Sequence, residues 1–582
     1  MSSDSAPAPA VDDAAAPRHV LVAVAWPYAN GSLHLGHLAG AYLPADIFAR
    51  YHRIAGNRVL MVSGSDAHGT PITVRADQEG ITPADVVQRY HPEFLRYWAS
   101  LGITFDLFTT TMTENHRDVT HEIFRGLRDH GLIEARTTEQ FYDPEAGRFL
   151  PDRYVEGTCP SCGASDARGD QCDTCGKTLD PIDLGDPRSK LTGAVPELRP
   201  TEHHFILLSR LEARVRAYLE AREGWRSHVI NWALGFVREG LHDRAITRDI
   251  AWGVPLPDDA GIDAPGDKRI YVWFEAVIGY LSASKEWAQR VGEPDAWRAW
   301  WEEPAGESYY FVGKDNIPFH AVYWPAQLMG TPELNLPTNV PANQYVTFKG
   351  AKASKSLGVG RSLLDYLEVY QPDTLRYAVA ANLPEANDVD LTEDELVRRV
   401  NDELIATWGN LVNRVLSMIH KRFEGRVPTP GPLGAPDEQL LATIDAQLAA
   451  TAAHLERVEL RAALKEALAG AQATNAYLNA MQPWKTATTD RERTATTLFT
   501  ALQAISGLNV AFAPFTPFSC DRLNTWLGGP TAEPDPRDAR IGEGHIDPGA
   551  LVGHGWVRRE VPAGTELGAP EPLFAKIELD ED

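Results

Sequence analysis

A chain of 582 residues is too long for one hydrophobic core, so three or four domains are predicted. Its 43% hydrophobic content is ordinary for a globular protein, and no apolar run reads as long enough to cross a bilayer. The net charge of −25 argues against nucleic-acid binding only if whole-chain charge decides it, and it does not, because phosphate contacts depend on local patches.

Residues 1–17 are rich in Ala, Pro, Ser and Asp, with no basic start and no apolar block. They read as a disordered tail, not a signal peptide, and a cytoplasmic location is expected. The apolar run 19–26 reads as a buried strand and 38–54 as a helix. Between them stands Pro27-Tyr28-Ala29-Asn30-Gly31-Ser32-Leu33-His34-Leu35-Gly36-His37. Helix N-termini attract phosphate, two imidazoles add donors, and Gly31 and Gly36 let a ligand approach the backbone. No G-x-x-x-x-G-K-[ST] stretch is present, so the pattern suits ATP binding without a Walker loop. Strand-like runs then alternate with helical ones through RVLMVSGSD and GITFDLFTTT, which indicates a parallel α/β sheet. Residues 18–127 are therefore read as the first half of a doubly wound, Rossmann-type nucleotide-binding domain.

Residues 128–240 read as a loop-rich insertion carrying Cys159-x-x-Cys162 and Cys172-x-x-Cys175, each pair followed by Gly. Four thiolates at this spacing suit a closed tetrahedral zinc site that is structural, since no position is left for water. A redox dithiol needs only one pair; an iron site fits the spacing, but nothing nearby suggests electron transfer. Cys520 stands alone and reads as a core residue. The α/β pattern returns over 241–343, with strands predicted at 269–273 and 308–312 and a loop at 255–267. Ligands of such a sheet belong at the carboxyl ends of its strands.

Residues 344–391 form a small mixed segment carrying Lys352-Ala353-Ser354-Lys355-Ser356, with Gly350 and Gly358 giving that loop freedom to move over a triphosphate. Over 392–550, Leu404, Trp408, Leu411, Val415 and Ile419 recur at helical spacing, 427–436 reads as a linker, and Ala-rich helices follow: an α-helical bundle. Arg398, Arg399, Arg414, Lys421, Arg422 and Arg426 outnumber nearby acids and read as a local basic patch. Residues 551–582 read as a C-terminal tail packing back, with a short apolar strand.

His34-Leu35-Gly36-His37 and KASKS resemble the HIGH and KMSKS signatures of the class I aminoacyl-tRNA synthetases. AWPYANGS, GSDAHGTPI, FLPDRYVEGTC, ITRDIAWG, YVWFEAVIGY, FVGKDNIPFH, KGAKASKS and GNLVNR, in this order, resemble the methionyl-tRNA synthetases within that class. The resemblance implies that L-methionine reacts with ATP and Mg²⁺ to give methionyl-adenylate and pyrophosphate, and that methionine then passes to the 3′-terminal adenosine of initiator and elongator tRNA(Met). It places His34 and His37 at the phosphates, and Lys355 at the β/γ-phosphate charge with Lys352 and the Ser356 hydroxyl assisting. It places Gly313 and Asp315 near the adenosine; Asp315 is also read as a helix N-cap. The implied methionine slot uses Trp26, Tyr28, Trp273, Ala276, Tyr280 and His320, with Asp66 for the ammonium and Arg248 as a further substrate contact. Asn410, Arg414 and Trp484 fall at the CAU anticodon. No appended OB-fold is read, so a monomer is expected.

Three positions depart from the family pattern: Trp26 where Leu is frequent, Val277 where Pro is frequent, and Ala353 where KMSKS has Met. Two other readings fit parts of the chain, an amino-acid-activating enzyme that ignores tRNA and a non-catalytic tRNA-binding paralogue. Asn410, Arg414 and Trp484 argue against the first; His34, His37, Lys352 and Lys355 argue against the second.

Overall fold

The computed structural model describes residues 16–169, 172, 174–175, 177, 179–262, 268–331, 333–348, 351–352, 361–530, 538–547, 549 and 555–578, with 351–352 and 538–539 described by their backbone alone. Its centre is a five-stranded parallel sheet. Across it, the strands run Ala342–Asn343, Glu307–Gly313, His19–Val24, Arg58–Ser65, Leu107–Thr110. His19–Val24 is a near-continuous apolar run because both its faces are covered, as a central parallel strand requires. Val20, Val22 and Val24 enter a core shared with the C-terminal helices, while Leu21 and Ala23 enter a second core shared with helices of the insertion.

The chain winds outward from His19–Val24 to Leu107–Thr110, leaves for the insertion, and returns on the opposite side as Glu307–Gly313. The strand order therefore reverses between His19–Val24 and Glu307–Gly313, which is where ligands of doubly wound sheets bind.

The first helix starts earlier than its apolar periodicity predicts. His34 is the N-cap of Leu35–His37, a π-turn over Leu38–Tyr42 follows, and Leu43–Ile54 continues buried along its whole length. The insertion holds more regular structure than its loop-like composition suggests. Ile133–Asp143 and Glu197–Ile206 pair antiparallel from Ile133↔Ile206 to Tyr142↔Glu197, and helices Glu212–Glu220 and Ser227–Arg238 follow. Most side chains of that hairpin are half-exposed or exposed, so no clean apolar alternation marks it. The cysteines sit beside a smaller sheet of Val155–Thr158, Ala167–Arg168 and Gly185–Ser189.

The strand predicted at 269–273 is shorter. Lys268–Ile270 pairs antiparallel with Thr247–Asp249 outside the central sheet, and the chain turns at Tyr271 into the helix Val272–Glu275, which puts Trp273 on a helical turn. Beyond the sheet, Val346–Phe348 lies between Ala351–Lys352 and Val389–Asp390, and helices Leu363–Val369 and Pro372–Ala380 follow.

The C-terminal region is helical: Glu393–Arg398 runs through a π-helical stretch, Arg399–Gly409, into Asn410–Phe423, and Ala435–Glu456, Leu460–Met481, Arg491–Phe512 and Pro517–Trp526 pack around it. Against the sequence expectation, the 22-residue Arg491–Phe512 is long and apolar enough to cross a bilayer, but 94% of its most apolar window is buried inside the protein, as in a core helix. The strand expected near the C-terminus is not formed among the described residues; 555–578 lies along the bundle, with one bridge between Arg426 and Glu566 and Leu573, Phe574 and Ile577 buried. The sheet side and the bundle are tied by a buried arginine. Arg376, wholly buried, reaches Asp46 of the helix Leu43–Ile54 and donates to the carbonyls of Pro514 and Phe515 in the bundle.

Candidate active site and RNA interface

The loop after His19–Val24 extends the sheet by one bridge. Asp66 N donates to Pro27 O and Ala29 N donates to Asp66 O, so Tyr28 and Asp66 lie side by side. Trp26 is held between two glycines: a Cβ on Gly64 would fall 2.2 Å from its ring, and one on Gly279 would fall 2.7 Å from it. The larger residue at position 26 is accommodated by those two missing side chains. Trp26 also lies 6.4 Å from the Tyr280 ring.

Trp273 Nε1 donates to the Tyr28 hydroxyl at 3.3 Å, and its ring meets Phe319 at 4.8 Å. Tyr280 Oη and His320 Nε2 are 2.7 Å apart, and His320 Nδ1 is 2.9 Å from Asn316 O. The carbonyl demands a proton on Nδ1, so Nε2 accepts from the tyrosine. Burial lowers His320 to about 4, which leaves the imidazole neutral. Tyr28 thus joins Asp66 and Trp273, and Tyr280 joins Trp26 and His320, in two neighbouring clusters, of which Tyr28 and Trp273 line an open cleft. Ala276 stands three residues after Trp273 and is half-buried.

Asp66 is 3% exposed, and burial together with the Glu275 charge raises its carboxyl well above the usual range, against the backbone N–H groups of His68 and Gly69. Sequence reasoning did not single out the residues behind it. Glu275 is fully buried and takes His68 Nδ1 at 3.1 Å on one oxygen and His116 Nε2 at 2.5 Å on the other. Burial pushes Glu275 up, but the two imidazoles more than reverse that and hold it below the usual range. His68 and Glu275 do lie in the quoted segments GSDAHGTPI and YVWFEAVIGY, yet their pairing joins residues 207 apart in sequence.

At the end of the same loop, Gly36 N donates to His34 Nδ1 at 3.1 Å and His34 N donates to His37 Nδ1 at 3.3 Å. Both Nδ1 atoms are acceptors, so in the neutral rings the proton is on Nε2. The two rings lie 3.9 Å apart. At the neighbouring strand's carboxyl end, Gly313, and not Asp315, is the N-cap of the turn Lys314–Asn316. The Tyr345 hydroxyl donates to Asp315, and Lys314 Nζ lies 2.7 Å from Asp388 and 3.8 Å from the Tyr345 ring centre.

Arg248 stacks over Tyr271 at 4.0 Å, lies 3.6 Å from Asp152 of the insertion, and lines a cleft with Tyr28, His68, Arg153 and Trp273. Lys352 is placed by its backbone, paired with Thr347, while Lys355 and Ser356 lie outside the described residues. The chain beyond that loop is anchored beside His34: Leu363 N donates to Leu33 O at 2.9 Å.

The four cysteine sulfurs lie within 4.8 Å of one another, with Cys162–Cys172 at 3.6 Å and Cys159–Cys175 at 3.9 Å. Those distances are far beyond a disulfide bond of about 2.05 Å. They match the edge of about 3.8 Å that a tetrahedron of thiolates about 2.3 Å from one ion must have. The cluster could hold a metal ion.

In the bundle, Asn410 and Arg414 share one face of Asn410–Phe423, and the Arg414 guanidinium lies 6.0 Å from the Trp484 ring, which is 41% exposed. The wider basic patch is weaker than its composition implies. Arg398 and Arg399 both pair with Glu395 and Glu403, and Arg426 pairs with Glu566.

Comparison with known proteins agrees along nearly all of the chain. A family model described as tRNA synthetases class I (M) matches residues 20–416, and one described as the anticodon binding domain of methionyl tRNA ligase matches 427–582. Among similar proteins, the methionine–tRNA ligase of Roseiflexus castenholzii is 50% identical over 97% of both chains, and that of Thermomicrobium roseum is 49% identical over 97% of both. Mycobacterium tuberculosis methionyl-tRNA synthetase bound by methionyl-adenylate superposes with a TM-score of 0.75 at 27% identity, covering 96% of this chain and all of that one; its free form gives 0.68 at 26%, covering 97% and 98%.

Proposed function

The chain belongs to the methionine–tRNA ligase family of class I tRNA synthetases, so it activates methionine with ATP and joins it to tRNA, and from that premise we propose how its residues share the work. The methionine side chain enters the slot of Trp26, Tyr28, Trp273, Ala276, Tyr280 and His320, where aromatic faces suit the polarizable thioether. Asp66 takes the ammonium, and Arg248 approaches from the insertion side. The methionine carboxylate attacks the α-phosphate of ATP and pyrophosphate leaves. The nucleophile is already ionised, so the protein positions the reactants and stabilises phosphate charge instead of supplying a base.

His34 and His37 contact the phosphates, Gly313 and Asp315 hold the adenosine, and Lys355, assisted by Lys352 and Ser356, neutralises charge on the departing pyrophosphate. ATP enters as its Mg²⁺ complex. A structural zinc ion is held by Cys159, Cys162, Cys172 and Cys175, and Asn410, Arg414 and Trp484 read the CAU anticodon of initiator and elongator tRNA(Met). The chain works as a cytoplasmic monomer, divided into a catalytic domain over 18–127 and 241–343, an insertion over 128–240, a loop segment over 344–391, a bundle over 392–550 and a tail over 551–582.

The observation that carries the active-site assignment is positional. The His34–His37 turn and Gly313–Asp315 follow the carboxyl ends of two neighbouring parallel strands inside the sheet, on either side of the point where strand order reverses, with the Tyr28–Trp273 contact alongside. The test is methionine-dependent ATP–pyrophosphate exchange followed by charging of both tRNA species. Exchange with methionine and no other amino acid is expected; exchange without subsequent charging of any tRNA would overturn the anticodon assignment.

A further inference from the structure

The bundle carries a side chain that neither the sequence reading nor the comparisons single out. Asn475 lies on the helix Leu460–Met481, two turns before the chain delivers Pro483 and Trp484. Its Nδ2 donates to Thr407 O at 2.9 Å and to Ala471 O at 3.1 Å. An amide nitrogen has two protons, and both are thereby used on backbone carbonyls. The amide cannot turn over without setting its oxygen against those carbonyls, so Oδ1 has a fixed direction. It accepts from Arg414 Nη2.

The carbonyl that orients Asn475 comes from an unusual segment. Thr407 lies in the π-helical stretch Arg399–Gly409, immediately before Asn410. Wide turns of this kind are rare and concentrate at functional sites, and side chains can insert where the regular i→i−4 ladder is interrupted. Asn475 therefore joins three things: the wide turn that ends at Asn410, the guanidinium of Arg414, and the helix that presents Trp484. Arg414 Nε is buried and has no hydrogen-bond partner among the described residues.

We propose that Asn475 is a positioning residue for RNA recognition: it holds the Arg414 guanidinium in the one orientation, beside Trp484, that meets the edge of an unpaired base. The ligand class is a single-stranded, unstacked RNA nucleotide, read by stacking and edge hydrogen bonds. This inference rests on the anticodon assignment above and adds to it a residue that does not touch the RNA. An arginine that must find its own rotamer loses affinity for the base; one held by a second-line amide does not.

The test is a double-mutant cycle read as the KM for a tRNA(Met) transcript in charging, with Asn475→Ala, Arg414→Ala and the pair. Asn475→Leu, which keeps the volume and the helix propensity without the amide, serves as a second variant, and melting curves report folding of each. The expected result is an Asn475→Ala KM for tRNA raised about tenfold or more with kcat little changed, as for a lost hydrogen bond to a charged group. In the Arg414→Ala background the same change should add less than about twofold, because both act through one guanidinium. Multiplying effects, or a normal tRNA KM in folded Asn475→Ala and Asn475→Leu beside a raised one in Arg414→Ala, would overturn the positioning role alone. A normal KM in Arg414→Ala would overturn the anticodon assignment and this inference with it.

Discussion

Asp66 shows how far a single residue can be read. Its motif was visible in sequence, and its place beside Tyr28 follows from pairing at the end of two parallel strands. What was not visible is that Glu275, paired with His68 and His116, lies behind it, because those partners come from segments far apart in the chain. Burial and the Glu275 charge raise Asp66, so the free protein holds this carboxyl neutral at pH values where an exposed aspartate is ionised. Ammonium binding needs the ionised form. The methionine KM should therefore fall as pH rises through the raised Asp66 value and then level off, with the ATP KM less affected. Asp66→Asn should raise the methionine KM about tenfold or more, as loss of a charge-assisted bond predicts, and abolish that part of the pH dependence. A methionine KM profile identical in the two proteins would remove Asp66 from the ammonium site. At the same scale, Lys355→Ala should slow pyrophosphate exchange severely with methionine binding nearly intact, since its charge matters most when pyrophosphate departs. A raised methionine KM with kcat unchanged would speak against that role.

At the scale of elements, legibility tracked periodicity. The buried strand at His19–Val24 announced itself as an apolar run, and the helices beyond residue 391 announced themselves by three- and four-residue spacing. The hairpin Ile133–Asp143 with Glu197–Ile206 did not, because its side chains are largely exposed, and neither did the π-helical stretches, whose wide turns leave no mark in hydropathy. The cysteine spacing was legible for a different reason: two CxxC pairs are a local geometric device, and the sulfurs do converge. We predict about one zinc per chain by metal analysis of the purified protein. Cys172→Ala should remove it and expose the insertion to protease while leaving the nucleotide pocket intact. Protein that lacks zinc yet keeps a protease-resistant insertion would contradict a structural ion.

Across the whole molecule, the sheet and the bundle share one core and a buried ion-pair cluster. Asp46 accepts from Arg50, Arg376 and Thr104, and Arg376 also spans to Pro514 and Phe515 of the bundle. Burial pushes the Asp46 carboxyl up, but Arg50, Arg376 and the Thr104 hydroxyl and amide more than reverse it, to about 2. A depressed folded-state value means that the contribution is complete above the unfolded value near 3.8 and is lost as pH falls through about 2. Asp46→Asn leaves Arg376 buried without its counter-charge and should cost about 3–5 kcal/mol, seen as a lower melting temperature at neutral pH that converges on wild type in strong acid. A melting temperature unchanged at pH 7 would show that the cluster does not hold the two bodies together.

That coupling matters because the two halves of the proposed reaction lie apart, adenylate formation at the carboxyl ends of the sheet strands and RNA reading in the bundle. Trp484→Ala tests the separation most directly, with methionine-dependent pyrophosphate exchange and tRNA charging measured on the same preparation. Loss of a stacking surface costs about 1–3 kcal/mol per base, so tRNA affinity should drop roughly five- to more than a hundredfold while exchange proceeds at the wild-type rate. Intact charging, or equal loss of both reactions, would contradict it.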